Sequence, residues 1–274
     1  MPELPEVETI RQSLVPLLRG QQVVTCEVHL PKLLQNVSAA EFARLIAGRT
    51  VQDIGRRGKY LLFRLSGEHT LVIHLRMTGQ LRFAAPDLPS VPHTHIVLKL
   101  ASRQELRYVD IRQFGYWFIA PDSEIVRVAR MDRLGVEPLS PEFTADALAS
   151  LLAGKRGTLK SLLLNQQVIA GIGNIYADEA LFLAGLRPER TAGELTPDEV
   201  TRLHAAVVGV LTQGVKLRGT TFSDYLDGLG QKGSFQHQLK VYGRAGETCV
   251  TCGHAIERRV LAGRGTHYCP HCQR

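Results

Sequence analysis

Residues 249–272 read CVTCGHAIERRVLAGRGTHYCPHC. Two Cys-x-x-Cys pairs, Cys249 with Cys252 and Cys269 with Cys272, stand sixteen residues apart, the spacing of a four-thiolate zinc ribbon. Each pair sets two thiolates on one side of a knuckle, and two knuckles complete a tetrahedron. Between them, Ala255–Leu261 and Thr266–Tyr268 suit the strands of a hairpin tipped by Gly263-Arg264-Gly265. So short a module has little apolar interior, so one structural Zn2+ is expected to supply much of its folding free energy. His254, His267 and His271 are further candidate ligands, but four cysteines fill the shell. Two disulfides are the alternative use of the same residues. Segment 231–274 holds seven Lys/Arg against Glu247 and Glu257, a surplus of +5 before the metal site is counted. A basic hairpin tipped by Arg264 suits a DNA groove, and a solvated basic tail has the same composition.

The rest of the chain sets bounds on these readings. With 274 residues it is long enough for two domains, and 44% hydrophobic content with 22% charged residues excludes a disordered chain. A formal net charge of +7 favours an anionic partner, nucleic acid or a membrane surface. The N-terminus has neither a basic start nor an apolar run of secretory length, and no stretch approaches the ~18 apolar residues of a membrane span. Four of the five cysteines lie in the last 26 residues, unlike a disulfide framework spread along a secreted chain. The expectation is a soluble, cytoplasmic, monomeric protein.

Upstream of the ribbon, the pattern changes twice. Glu6–Leu18 carries Val7, Ile10, Leu14 and Leu17 at helical spacing, with Pro16 marking a kink or early end of the last turn. Val23–Val28, Tyr60–Leu65, Thr70–Leu75, His95–Leu100, Glu105–Val109 and Tyr116–Ile119 are short β-branched or aromatic runs, which predict a mostly antiparallel β-sandwich with the helix laid against it. Around Asp132–Pro141 the strand pattern stops. Phe143–Leu152, Leu159–Leu164, Ile175–Ala184 and Pro197–Lys216 predict helices, the last opened by a capping box of Thr196 and Glu199. A Gly-rich stretch from Arg218 to about Gln238 reads as a mobile loop. The expected fold is therefore α+β and multi-domain: a sandwich domain over 1–132, a linker over 133–141, a helical domain with its loop over 142–238, and the zinc ribbon over 239–274.

Three separated motifs carry a resemblance: MPELPEVET at the start, GIGNIYADEALF at 171–182, and the terminal four-cysteine ribbon. In this order and at this length the chain closely resembles the formamidopyrimidine-DNA glycosylases. The endonuclease VIII-like glycosylases share the architecture but usually depart from ELPEVET. The resemblance implies an enzyme that removes oxidised purines, 8-oxoguanine and formamidopyrimidines, from double-stranded DNA and then cleaves the strand at the abasic site. An inert DNA-binding protein is the non-enzymatic alternative, against which stand intact Pro2, Glu3 and Lys59.

The family's chemistry is readable in these residues. Removal of Met1 leaves Pro2 with a free secondary amine, and an α-amino group titrates near pH 7.7–8.0, so a useful fraction is unprotonated at neutrality. The resemblance assigns Pro2 as the nucleophile on the sugar C1′, Glu3 as the proton donor that opens the sugar, and Glu6 as a support. Taken alone, these residues read as an acidic first helical turn. Lys59, in Arg56-Arg57-Gly58-Lys59-Tyr60, matches the family's hairpin lysine. Arg264 matches the arginine implicated in the second elimination, and its high pKa favours phosphate binding over proton donation. Met77, Arg112 and Phe114 match the residues that fill the gap left by the extruded nucleotide. Here the loop reads Asp110-Ile111-Arg112-Gln113-Phe114-Gly115, without the family's usual proline and second positive charge. Gly171–Asn174 leads into a helix as an anion site, which the family builds as a helix–two-turn–helix motif with Asn174 on phosphate and Lys160 nearby. His93, Arg156 and Tyr242 match further backbone contacts. His74 and His95 read equally as strand histidines with local hydrogen bonds. The loop after Arg218 is expected to close over the flipped base.

Overall fold

The computed structural model describes every residue from Met1 to Arg274. The chain forms two compact units, Met1–Arg133 with Arg218–Ser234, and Leu134–Leu217 with Phe235–Arg274.

The first unit contains α1 (Leu4–Leu18), β1 (Val23–Val28), α2 (Ala39–Ile46), β2 (Val51–Arg57), β3 (Tyr60–Leu65), β4 (His69–His74), β5 (Gly79–Ala84), β6 (Thr94–Leu100), β7 (Glu105–Asp110), β8 (Tyr116–Pro121) and α3 (Ile125–Val128). Two four-stranded antiparallel sheets, ordered β1-β6-β7-β5 and β2-β3-β4-β8, share one apolar core. Strand alternation puts Leu61, Phe63 and Leu65 of β3 and Trp117 and Ile119 of β8 into that core. The apolar face of α1 (Val7, Ile10, Leu14, Leu18) is buried against it, each side chain contributing about 1.5–3 kcal/mol. Pro16 lies inside α1 without ending it. It removes only one backbone donor, and burial of Leu18 holds the last turn.

Two strands, β2 and β5, and two helices, α2 and α3, go beyond the sequence pattern. β2 (VQDIGRR) buries only Val51 and Ile54, and β5 (GQLRFA) mixes buried Gln80 with Leu81. Neither shows clean alternation, so neighbouring strands, not local pattern, define them. The amphipathic α2, capped by Ser38, buries Phe42 and Ile46.

The second unit contains α4 (Ala145–Leu152), α5 (Leu159–Leu164), α6 (Asn174–Ala184), α7 (Pro197–Lys216), β9 (Glu257–Leu261) and β10 (Arg264–Tyr268). The predicted bounds of α5 and α7 match, and Thr196 and Glu199 form the predicted capping box. The start of the expected linker is part of this unit: Gly135 N donates to Gln166 O at 2.9 Å, and Val136 bridges to Ile169 in parallel. Residues 218–234, read from the sequence with the helical domain, pack instead in the first unit. The ribbon belongs to the same compact unit as the helices.

Candidate active site and nucleic-acid interface

The first unit carries the N-terminus. Pro2 and Glu3 are buried at the entry to α1, with Glu3 as its N-cap. Glu3 N donates to Glu6 Oε2 at 2.8 Å, and Glu6 Oε1 accepts from Thr220 N at 2.7 Å. One carboxylate thereby fixes both the backbone beside Pro2 and the loop beyond α7. Gly219 packs so closely on it that a Cβ there would lie 2.7 Å from Oε1. Tyr225 adds an O–H to Glu6 O at 3.3 Å, and Ser13 Oγ accepts from Gly228 N at 3.0 Å. Buried Asp227 pairs with Arg218 and accepts from Leu229 N and Gln231 N. The segment read as mobile is thus tethered along α1, by polar anchors that leave no periodic trace in a Gly-rich sequence.

Lys59 occupies the two-residue turn between β2 and β3, whose register closes on Arg57↔Tyr60. Gly58 supplies φ +55° at the first turn position, as a tight hairpin requires, and Lys59 is only 6% exposed. Beside the turn, Tyr60, His74 and Tyr116 form a ring cluster, with the two phenols 3.0 Å apart. Burial, with help from the charges of Arg76 and Lys59, pushes the His74 imidazole down to about 3. It is a neutral acceptor, and its Nδ1 takes the Arg76 N–H at 3.0 Å. His95 also bonds locally, Nε2 to Asp110 O at 3.0 Å.

Met77, Arg112 and Phe114 come together. Arg112 Nη1 lies 2.9 Å from Met77 Sδ, and its guanidinium carbon sits 4.8 Å from the Phe114 ring centroid. Met77 is 40% and Phe114 51% exposed, so neither is the core residue its type alone suggests. Fully buried Asp110 holds this wedge. Its carboxylate accepts from Thr78 Oγ1, Tyr108 Oη and Gly115 N, and Thr78 Oγ1 in turn accepts from Arg112 N. Gln113 takes φ +57° at the bend. His93, exposed at φ +66°, gives its carbonyl to Asp110 N at 3.0 Å. The Asp110 bonds fix the loop where the family's proline is missing.

The second unit carries the helix start. Asn174 opens α6, and its Nδ2 donates to Gly265 O at 2.8 Å, which joins the helix N-terminus to the base of the hairpin tip beside exposed Arg264. Asn174 Oδ1 is buried without a hydrogen-bond partner. The Gln166 side chain shapes the turn before it, accepting from Gly171 N and donating to Ile172 O. Lys160, expected near the phosphate, is fully buried: its ammonium bonds Asn174 O at 3.1 Å and pairs with Asp178. It braces the helix start from beneath and is not presented to solvent. Asp178 also accepts from His267 N at 2.9 Å, and Glu179 accepts from the backbone N–H groups of Lys240, Val241 and Tyr242. Burial pushes the Glu179 carboxyl up against those three bonds. Half-buried Tyr242 packs edge-on against His267, and Arg156 is exposed in the turn before α5.

The four ribbon cysteines converge, with their Sγ atoms all within 4.8 Å of one another. Cys249 Sγ and Cys272 Sγ are 3.8 Å apart, Cys252 Sγ and Cys269 Sγ 3.4 Å, and all four are free thiols. Zn–S bonds of about 2.3 Å in a tetrahedron separate sulfurs by roughly 3.8 Å, so the set fits one zinc and excludes the disulfide alternative. Thr251 N and Cys272 N turn inward to Cys249 Sγ and Cys269 Sγ, the knuckle donors that thiolates need. A small core of Phe182, Val241 and Ile256 seats the ribbon on α6.

Three domain models match in this order: the formamidopyrimidine-DNA glycosylase N-terminal domain over residues 1–117, its H2TH domain over 134–225, and a zinc finger found in FPG and IleRS over 246–274. A formamidopyrimidine-DNA glycosylase of Moorella thermoacetica is 51% identical over 94% of both chains. Another, of Carboxydothermus hydrogenoformans, is 47% identical over the full length of both. The chain belongs to the formamidopyrimidine-DNA glycosylase family. Lactococcus lactis Fpg superposes with a TM-score of 0.93 at 36% identity over all of both chains, in a complex with DNA containing N7-benzyl-Fapy-dG. The same Fpg bound to abasic-site DNA gives 0.92 at 36% identity over 99% of each chain.

As a member of that glycosylase family, the chain carries one structural zinc on Cys249, Cys252, Cys269 and Cys272. Three supports went unread in the sequence: Asp110, Asp178 and Glu179. An acidic residue in a DNA-binding protein reads as surface charge. The available signal was the Asp178-Glu179 pair inside an otherwise apolar helical run, where both carboxylates need partners. No helix is long and apolar enough to cross a membrane.

Proposed function

We propose that the chain is a bifunctional glycosylase and abasic-site lyase, working through the amine of Pro2 on DNA that carries 8-oxoguanine or formamidopyrimidines. The observation that carries this reading is the wedge of Met77, Arg112 and Phe114, exposed yet rigidly held by Asp110. A thioether, a guanidinium and a phenyl ring kept in solvent have no packing role. They suit the gap left in a duplex when a nucleotide is extruded.

With Met1 removed, the Pro2 nitrogen attacks C1′ of the damaged nucleotide. The glycosidic bond breaks, the base leaves with its electron pair, and a proton from Glu3 opens the sugar. The resulting iminium joins Pro2 to the sugar and acidifies the C2′ hydrogen. Its loss expels the 3′ phosphate, and a second elimination expels the 5′ phosphate. Lys59, buried at its turn, assists release and elimination. Glu6 holds the backbone of Glu3 in place. Asn174 and Arg264, joined through Gly265, take phosphates, and His93, Arg156 and Tyr242 add backbone contacts. Lys160 acts through Asn174, as a positioning residue. Cys249, Cys252, Cys269 and Cys272 would hold a structural zinc that would keep the Arg264 hairpin folded. Such an enzyme works in the bacterial cytoplasm, at the nucleoid.

Lactococcus lactis Fpg has also been solved with DNA containing an oxidised pyrimidine, which makes pyrimidine lesions a second substrate class to test. The decisive comparison uses Glu3→Gln on an 8-oxoguanine duplex and on a preformed abasic duplex. Base excision should fall at least 100-fold, the lower bound for a lost proton donor, while abasic cleavage persists. Equal losses on both would reject Glu3 as the donor for base release.

A further inference from the structure

The two zinc knuckles place more than cysteines side by side. His254 follows Cys252 by two residues and His271 precedes Cys272 by one, so each knuckle carries one imidazole. The rings stack face to face, 4.3 Å between centroids and 5° between planes. Both are exposed, and their nitrogens and the half-buried Cys252 Sγ all lie within 4.8 Å of one another. The supporting backbone is fixed on both sides. Cys249 N donates to His254 O at 2.8 Å, Gly253 N to Cys249 O at 2.9 Å, and Cys269 N to Gln273 Oε1 at 2.8 Å. Four thiolates already complete the structural zinc, so the imidazoles are not needed in its shell.

We propose that His254, His271 and the Cys252 thiolate form a second, exchangeable site for a borderline divalent ion such as Zn2+, Co2+ or Cd2+. Imidazole and thiolate together select this class over Mg2+ or Ca2+, which require oxygen ligands. Metal–nitrogen distances of about 2.0–2.1 Å and a metal–sulfur distance of about 2.3 Å bring ligand atoms to roughly 3.3–3.6 Å of one another. The lone pairs of parallel rings do not converge on one ion, so binding unstacks the imidazoles and closes the present span by up to about 1.5 Å, through side-chain rotation of two solvent-exposed histidines. Four thiolates around Zn2+ leave a net charge of about −2 on the cluster. Cys252 Sγ keeps a lone pair with which to bridge, and no bond to the first ion need break. The second position holds an incoming ion one sulfur away from the structural site, which suits it to load that site.

The test loads the full-length protein with 113Cd2+ and records its NMR spectrum beside metal content after dialysis. Wild type should bind two equivalents. It should show one resonance from a four-sulfur site and one from a mixed nitrogen and sulfur site, coupled to each other through the shared sulfur. The double variant His254→Ala/His271→Ala should keep the four-sulfur resonance, which shows that the ribbon is folded, and lose the second ion. It should also refill more slowly from the metal-free state, to a final content of one equivalent. A single equivalent in wild type, a second ion retained by the double variant, or two resonances without mutual coupling would each overturn the assignment.

Discussion

Replacing Gly115 by alanine strikes the support of the wedge without altering any wedge residue. A Cβ at Gly115 would lie 1.6 Å from Tyr108 Oη, 2.9 Å from its Cζ and 3.1 Å from Asp110 Oδ2. The phenol would have to retreat by well over an ångström, yet Tyr108 is fully buried and packs edge-on against Trp117 at 5.4 Å. Either Tyr108 leaves Asp110, or the chain at Gly115 swings outward and its N–H leaves Asp110 instead. Overpacking costs about 1–3 kcal/mol, and losing one hydrogen bond to a carboxylate about 1.5–3 kcal/mol, so the expected loss is about 3–5 kcal/mol. Tyr108→Phe removes the oxygen responsible for the worst overlap, at its own cost of about 1.5–3 kcal/mol. The double variant should then be no less stable than Gly115→Ala alone, a coupling of about 1.5 kcal/mol or more. Urea denaturation of the four proteins measures this, and affinity for abasic-site duplex should fall in the same order. A loss below about 1 kcal/mol for Gly115→Ala, or additive effects in the pair, would refute the proposed role of Asp110 and its neighbours.

The buried pair in the second unit gives an effect of similar size. Lys160→Met leaves Asp178 buried without its cation and should cost about 3–5 kcal/mol in urea denaturation, and adding Asp178→Asn should recover part of it. His74 makes a prediction about pH. Its folded-state value near 3 lies below the unfolded 6.5, so the unfolded chain takes up the proton first and stability declines as pH falls through that window. His74→Phe should flatten the stability profile between pH 6.5 and 3 by up to about 1.4 kcal/mol per pH unit, read from urea midpoints at each pH.

What the sequence disclosed follows from the kind of signal each element leaves. The ribbon was legible because metal coordination fixes ligand type and spacing, and Cys249, Cys252, Cys269 and Cys272 converge as their spacing demands. α7 was legible to the residue because Thr196, Pro197 and Glu199 mark its start chemically. β2 was not, since only Val51 and Ile54 enter the apolar core, while Arg56 turns in to pair with Glu8 of α1. The terminus and the wedge were legible only through resemblance: a buried Pro-Glu and an exposed Met and Phe have no local pattern that separates them from ordinary residues. Lys160 shows the limit of transfer by motif. A lysine before an anion-binding turn reads as a phosphate ligand, whereas its ammonium is spent on Asp178 and the Asn174 carbonyl. The loop beyond Arg218 shows the converse, since its glycines mark close packing against Glu6 and Leu14 as much as freedom.

Borohydride trapping followed by peptide mapping shows whether the α-amine of Pro2 is the nucleophile. With an 8-oxoguanine duplex, reduction should leave protein joined to DNA through residue 2, with Met1 absent. Protein whose N-terminus is blocked, by retained Met1 or an upstream tag, should lose both excision and trapping while still binding abasic-site DNA. An adduct on Lys59, with the blocked protein fully active, would rule out Pro2 as the nucleophile.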